Sequence, residues 1–218
     1  MVEKMKDCFK VKPFENFLAQ YETNCVRDYA TDMLVANDDI NWVIPASTSG
    51  KYHNSQQLGD GGQLRHVLLV CSICNHLLSL KSIKDKADFD TRFKRDLIRT
   101  ACLLHDCKKT NGGNKTVHEH PILGASFVLD TEVEHDVDLD TKKYIASLIE
   151  THSGQWRASK YSEVVLPEIK NDAQLFVHVC DYLGSRTDII KYFEDGETES
   201  IYECIANAKE GMKSESKE

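Results

Sequence analysis

The chain has 218 residues, 41% hydrophobic and 28% charged, with a formal net charge of −8. That length suits one domain with a substantial core and short accessory segments, and the acidic balance argues against passive binding of long nucleic acid, which needs basic patches. No apolar stretch approaches the length of a membrane span, and MVEKMKDCFKVKPF lacks the apolar core of a secretory signal, so a cytoplasmic protein without a membrane partner is expected.

Apolar spacing predicts a nearly all-helical chain. Over residues 14–36, Phe14, Phe17, Leu18, Tyr21, Cys25, Tyr29 and Met33 recur mostly three or four apart, on one helical face. Residues 44–62 break the pattern with Pro45, Gly50, Gly59, Gly61 and Gly62, predicting a long polar loop of the kind that often carries function. Helices follow at 63–80 and at 89–105, where the stripe Phe89, Phe93, Leu97, Ala101 leads to His105. Another is predicted at 121–129, opened by Pro121. The next, at 141–152, buries Tyr144, Ile145, Leu148 and Ile149 and ends on His152, and a last one covers 173–185. Only residues 161–166 suggest a short strand, and the polar tail 211–218 reads as frayed. The resulting division is an N-terminal helical segment (1–43), a central domain (44–190), and a C-terminal helix with a flexible tail (191–218). The eight cysteines read as reduced, buried small hydrophobes, because Cys71 and Cys74 have no second pair at zinc-ribbon spacing.

His105-Asp106 closes the apolar run LIRTACLLHD. Ionisable groups beside a buried stripe are costly unless paired or bound to a metal, and imidazole with carboxylate suits several divalent ions. The dipeptide alone decides little. His135-Asp136 repeats it inside the acidic segment TEVEHDVDLD, where it reads as solvated surface. The first pair gains weight from His66, His120, His152 and Asp181, each at the edge of a buried face on a different predicted helix. A bundle can converge such residues on one site. His118 rivals His120, but the following PILGA favours His120; His76 and His178 read as structural, with His178 a possible support for Asp181. The segment STSGK at 47–51 has the composition of a phosphate loop without the G-x-x-x-x-G-K-[ST] spacing. Lys51 is therefore either a phosphate contact or part of a structural loop. Arg65 and Arg186 could meet phosphate or be ion-paired, and Trp156 could be core or a base-stacking platform.

The order His66, His105-Asp106, Asp181 resembles the H…HD…D signature of the HD-domain phosphohydrolase superfamily, over about residues 44–190. Lys109 completes its HD-x-x-K form, HPILGA is similar to the H-P-x-x-G-A of a binuclear branch, and CDYLGSR resembles the closing aspartate motif. The loop PASTSGKYH followed by GGQLRH looks like that of uncharacterised bacterial and phage HD proteins. The resemblance implies an all-α helical bundle around a divalent-metal site. His66, His105, Asp106 and Asp181 would hold a first ion, and His120 and His152 a second, with Asp106 bridging. The ion would be Mn, Fe, Co, Ni, Mg or Zn. One or two per chain are allowed, since Ser153 stands where the binuclear branch has another histidine. It also implies attack by a metal-activated water on a phosphoester or phosphoanhydride of a nucleotide-like substrate. Lys109 would offset phosphoryl charge, and His120 or His152 would protonate the leaving group if not a ligand. A missing G-Y-P segment argues against cyclic dinucleotides. HD-type dinucleoside polyphosphate hydrolases are the nearest enzymatic rival, followed by deoxynucleotide phosphohydrolases. A nuclease module and a non-catalytic metal-stabilised binder are the rivals from other classes.

Overall fold

A computed structural model describes residues 8–113 and 115–215; the extreme ends of the predicted N-terminal segment (1–7) and tail (216–218) lie outside the described residues. The stripe over 14–36, expected as one helix, is carried by a 3-10 turn (Lys12–Phe14), α1 (Glu15–Leu18) and α2 (Asn24–Ala36). A distant carboxylate makes the break. Asp96, fully buried, accepts from the backbone N–H of Glu22 at 3.0 Å and of Thr23 at 2.7 Å. It thereby takes the two N–H groups just ahead of α2, which a continuous helix would have sent back to the carbonyls of residues 18 and 19. Past the break Tyr29 and Met33 reach the core, whereas Cys25 is exposed.

The bundle that follows is α3 (Gly62–Ser79), the short α4 (Lys81–Lys84), α5 (Arg92–Leu104), α6 (His120–Asp130), α7 (Leu139–Ile149) and α8 (Asp172–Gly184). Side chains set three of the starts: Thr91 accepts from the Lys94 N–H, Asp138 from Thr141 and Asn171 from Gln174, each cap contributing about 1 kcal/mol. The Thr91 cap starts α5 later than the apolar stripe suggested. Phe89 is buried against Phe176, ring centroids 5.2 Å apart, but Phe93 turns outward and is 40% exposed. Helix α5 packs against α3, α7 and α8, and α6 packs on α7. Ile98, Leu104, Ile145, Leu148 and Ile149 lie fully buried between them.

Residues 44–62 form the expected irregular segment, with a 3-10 turn at Ser55–Gln57. It is pinned rather than loose. Buried Asn54 donates to the Ile189 carbonyl (2.8 Å), and buried Gln57 to the Gly184 carbonyl (2.9 Å). Gly184 itself lets α8 approach α3, since a Cβ there would lie 2.6 Å from Val70.

Further expectations are corrected. The strand at 161–166 does not form; one isolated bridge, Ser159 to Ser162, is the nearest approach to it. The tail is not frayed over its described part: α9 (Asp195–Glu215) runs through it. Its stripe Ile201, Cys204, Ile205, Ala208 is buried, and the helix packs on the turns Asp39–Trp42 and Lys12–Phe14. All eight cysteines are free; Cys71, Cys74, Cys102, Cys107, Cys180 and Cys204 are buried as expected, while Cys8 and Cys25 are not. No helix among the described residues is long and apolar enough to cross a membrane.

Candidate metal centre

Five segments deliver the polar residues to one point. His66 comes from the first turns of α3, and His105 and Asp106 from the residues just past α5. His120 is the first residue of α6, His152 follows the end of α7, and Asp181 lies on α8. They form two triads of mutually close ligand atoms, His66–His105–Asp181 and Asp106–His120–His152. Asp106 joins them. Its Oδ2 is 3.3 Å from His105 Nε2 and 3.7 Å from His66 Nε2, while its Oδ1 is 3.1 Å from His120 Nε2 and 3.6 Å from His152 Nε2.

The hydrogen bonds fix which nitrogens carry protons. Nδ1 of His105 lies 2.8 Å from the Cys102 carbonyl, that of His120 2.7 Å from Val117 and that of His152 2.7 Å from Ile149. A carbonyl only accepts, so each Nδ1 carries a proton, and a ring in its neutral form presents a lone pair at Nε2. The Nε2 atoms of His120 and His152 are 3.1 Å apart beside Asp106 Oδ1, which has no hydrogen-bond partner. With both rings neutral, three electron-rich atoms converge there with no proton between them. A cation satisfies that arrangement, and the donor set fits a divalent ion.

Charge points the same way. Burial pushes the Asp106 carboxyl up, but the Lys109 ammonium and His105 outweigh it and hold the group well below the usual carboxylate range. Asp181 behaves alike, burial being overcome by His105 and His66. Burial would lower His105, yet the Asp106 and Asp181 carboxylates pull it up to about 10, so the centre demands positive charge. A metal would displace that proton.

The centre lies in a cavity of about 640 Å³ whose wall includes Asp106, Lys109, His120, His152, Ser153 and Asp181. Lys109 is buried with its Nζ 2.5 Å from Asp106 Oδ2. Two expected phosphate contacts are not in the wall. Arg65 neighbours His66, but adjacent helical residues point about 100° apart; it donates to the Asp60 carbonyl and lies over Tyr202 in a separate hollow. Lys51 is exposed and lies over Tyr52. In their place stand Lys115, Thr116 and Arg186, with Ser47, Thr48 and Ser49 of the loop.

Other histidines sort cleanly. His118 contacts the carbonyls of Arg157 and Val164, His76 is exposed, and His178 Nδ1 donates to the His152 carbonyl at 2.8 Å. His178 therefore supports the segment of His152 rather than Asp181. His135-Asp136 is more than solvated surface: His135 pairs with buried Asp32 at 3.1 Å, and Asp136 with Lys142 at 2.8 Å. Two residues of the centre were given no role from the sequence, although both lie in the segments PASTSGKYH and GGQLRH that carry the family resemblance. Gln63 donates to Asp106 Oδ2 at 3.1 Å, and His53 packs edge-on to His66 with ring centroids 5.1 Å apart. Burial, with His66 and Lys109 adding to it, lowers His53 to about 3, so it stays neutral.

Helices that converge two such triads beside one carboxylate give the protein buried His/Asp groups that could hold a divalent ion. The family is given by comparison: a model of the HD domain matches residues 64–186, more than half of the chain, and the chain belongs to that family. Its superfamily is one of metal-dependent hydrolases. Neither a curated protein nor a solved structure matches the chain.

Proposed function

We propose that the protein is a phosphohydrolase that cleaves a phosphoester or phosphoanhydride of a small nucleotide-like substrate. The observation that carries this reading is the bridging position of Asp106, whose two oxygens face separate His/Asp sets at the base of a cavity edged by Lys109, Lys115 and Arg186. His66, His105, Asp106 and Asp181 would hold one divalent ion, and Asp106, His120 and His152 a second. Such an ion supplies hydroxide from bound water near neutral pH.

The residues divide the remaining work. The Nδ1–H bonds of His120 and His152 leave their Nε2 atoms as lone pairs, which favours ligand roles over leaving-group protonation. Lys109, held at Asp106 Oδ2, keeps that carboxylate ionised and places a buried ammonium in the cavity wall. There it would offset charge developing on the phosphoryl group, a stabilisation worth most where water is excluded. Ser153 lines the cavity where the binuclear branch has a histidine, so the second set holds one ligand fewer and binds its ion more weakly.

A panel of nucleotides, dinucleoside polyphosphates and an aryl phosphodiester, assayed with Mn, Co, Ni, Fe, Zn and Mg, tests the activity. Asp106→Ala should reduce hydrolysis to background and lower bound metal, while His135→Ala should leave both intact. Equal behaviour of the two variants, or purified protein that takes up no divalent metal, would sink the proposal.

A further inference from the structure

Trp156 does not behave as a core residue. The chain has two tryptophans; Trp42 is buried, whereas Trp156 is 50% exposed and forms part of the cavity wall. Its orientation is nonetheless fixed. The indole lies nearly parallel to the Tyr182 ring, 17° between planes and 5.6 Å between centroids, and is tilted against His178 at 5.8 Å. Its backbone N–H closes a turn onto the Ser153 carbonyl at 3.1 Å. A large apolar surface that is both held rigid and left open is suited to stacking on a planar ligand, because little side-chain freedom is lost on binding.

The charge beside it specifies the ligand further. The Arg186 guanidinium sits 4.2 Å over the Tyr182 ring and donates to the Tyr182 carbonyl and the Ser185 hydroxyl. Among the described residues neither Arg186 nor Lys115 is ion-paired, although the chain carries a net charge of −8 and most of its buried cations have carboxylate partners. Unneutralised cations next to an open aromatic platform, in one cavity of about 640 Å³, match a single ligand that is planar and aromatic at one end and anionic at the other.

We propose that Trp156 is the platform of a base subsite: the cavity takes one nucleotide, its base stacked on the indole and its phosphates among Arg186, Lys115 and Lys109. This deepens the phosphohydrolase reading, on which only the direction of the phosphates rests. Stacking needs no hydrogen-bond pattern, so the subsite accepts purines and pyrimidines alike.

Equilibrium fluorescence titration of the full chain as purified tests the subsite directly. Products of any turnover keep the base, so hydrolysis does not confuse the reading. Each of the four ribonucleoside triphosphates should quench tryptophan emission saturably, and inorganic tripolyphosphate and ribose 5-phosphate should not. Trp156→Phe should abolish the quenching, since buried Trp42 remains, but keep nucleotide affinity within a few fold. Trp156→Ala should weaken nucleotide binding roughly 10- to 100-fold and leave tripolyphosphate binding unchanged. Three results would overturn the proposal: nucleotides that fail to quench, a Trp156→Ala protein that binds nucleotides like the native one, or equal weakening toward tripolyphosphate. Hydrolysis assays with Asp106→Ala separate the two readings. A protein that stacks nucleotides on Trp156 yet hydrolyses none keeps the subsite and loses the phosphohydrolase reading.

Discussion

Gly154 has a φ of +58°, and a Cβ there would sit 2.2 Å from the His178 ring. Only glycine combines that backbone with that closeness. Since His178 Nδ1 donates to the His152 carbonyl, the glycine holds a buttress behind a histidine of the second triad. Gly154→Ala should therefore cost about 1–3 kcal/mol from backbone strain and lower metal affinity roughly tenfold or more. Chelator-treated melts and metal titration would read the two effects apart; an unchanged affinity would remove His178 from the support of the centre. At this scale the sequence was legible where motif order spoke. His66, His105, Asp106, His120, His152 and Asp181 do meet. It marked the loop that carries His53 but gave that histidine no role, since the loop has no period to show what it faces, and it was misleading on Arg65, where nearness along the chain to His66 hid the turn of the helix.

Helix α2 shows why an element can be right in period and wrong in extent. Nothing in residues 19–23 is a strong breaker; Asp96, far along the chain, stops the helix by taking the Glu22 and Thr23 N–H groups. The same junction carries an ion pair, Arg95 to Glu22 at 2.8 Å, with Arg92 and Arg99 nearby. Burial would raise Glu22, but these arginines outweigh it and lower its pKa from 4.5. A depressed carboxylate contributes stability in full above its unfolded value and loses it as pH falls through the folded one. Glu22→Gln should thus cost about 0.5–1 kcal/mol at neutral pH, a modest figure for a partly exposed pair. The difference from native protein should shrink as pH falls below 4.5 and vanish once Glu22 is protonated in the folded protein as well. Denaturant melts across that range would show it, and a pH-independent difference would exclude the ionic origin. Helix α9 was foreseen but its length was not. Its polar end reads as frayed until Gly211 is seen packed against Asp39, where a Cβ would lie 2.4 Å from Oδ2.

For the molecule as a whole, the two triads gather residues from α3, α5, α6, α7 and α8 at one point, so an ion bound there would stabilise most of the bundle. A ligand at a hundredfold excess over its Kd adds about 2.7 kcal/mol, which for a chain of this size is roughly 5–11 °C in Tm. Stripping metal with a chelator should lower Tm by that order, and re-adding the ion should restore it. Asp106→Ala should melt at one temperature with or without chelator. A native protein indifferent to chelation would mean that the two triads hold no ion. The fold class was legible because helical periodicity and motif order agree over residues 63–185. The closure of α9 over the Asp39–Trp42 turn was not, because contacts between chain ends leave no local pattern.

Three imidazoles at the centre are oriented by carbonyls three residues upstream, Cys102 for His105, Val117 for His120 and Ile149 for His152. Two of those carbonyls belong to the last turns of α5 and α7, where the helix no longer claims all of its acceptors' lone pairs; that of Ile149 takes both the backbone N–H and the ring N–H of His152. Every residue type carries such an oxygen. The orienting groups can therefore drift in identity without disturbing the ligands they aim, and a comparison of side chains would pass over them. Spacing is what they cannot lose. A single residue inserted between 102 and 105, or deleted between 149 and 152, would turn an imidazole away while leaving every ligand in the chain. The centre is thus tolerant of substitution behind its ligands and intolerant of slippage.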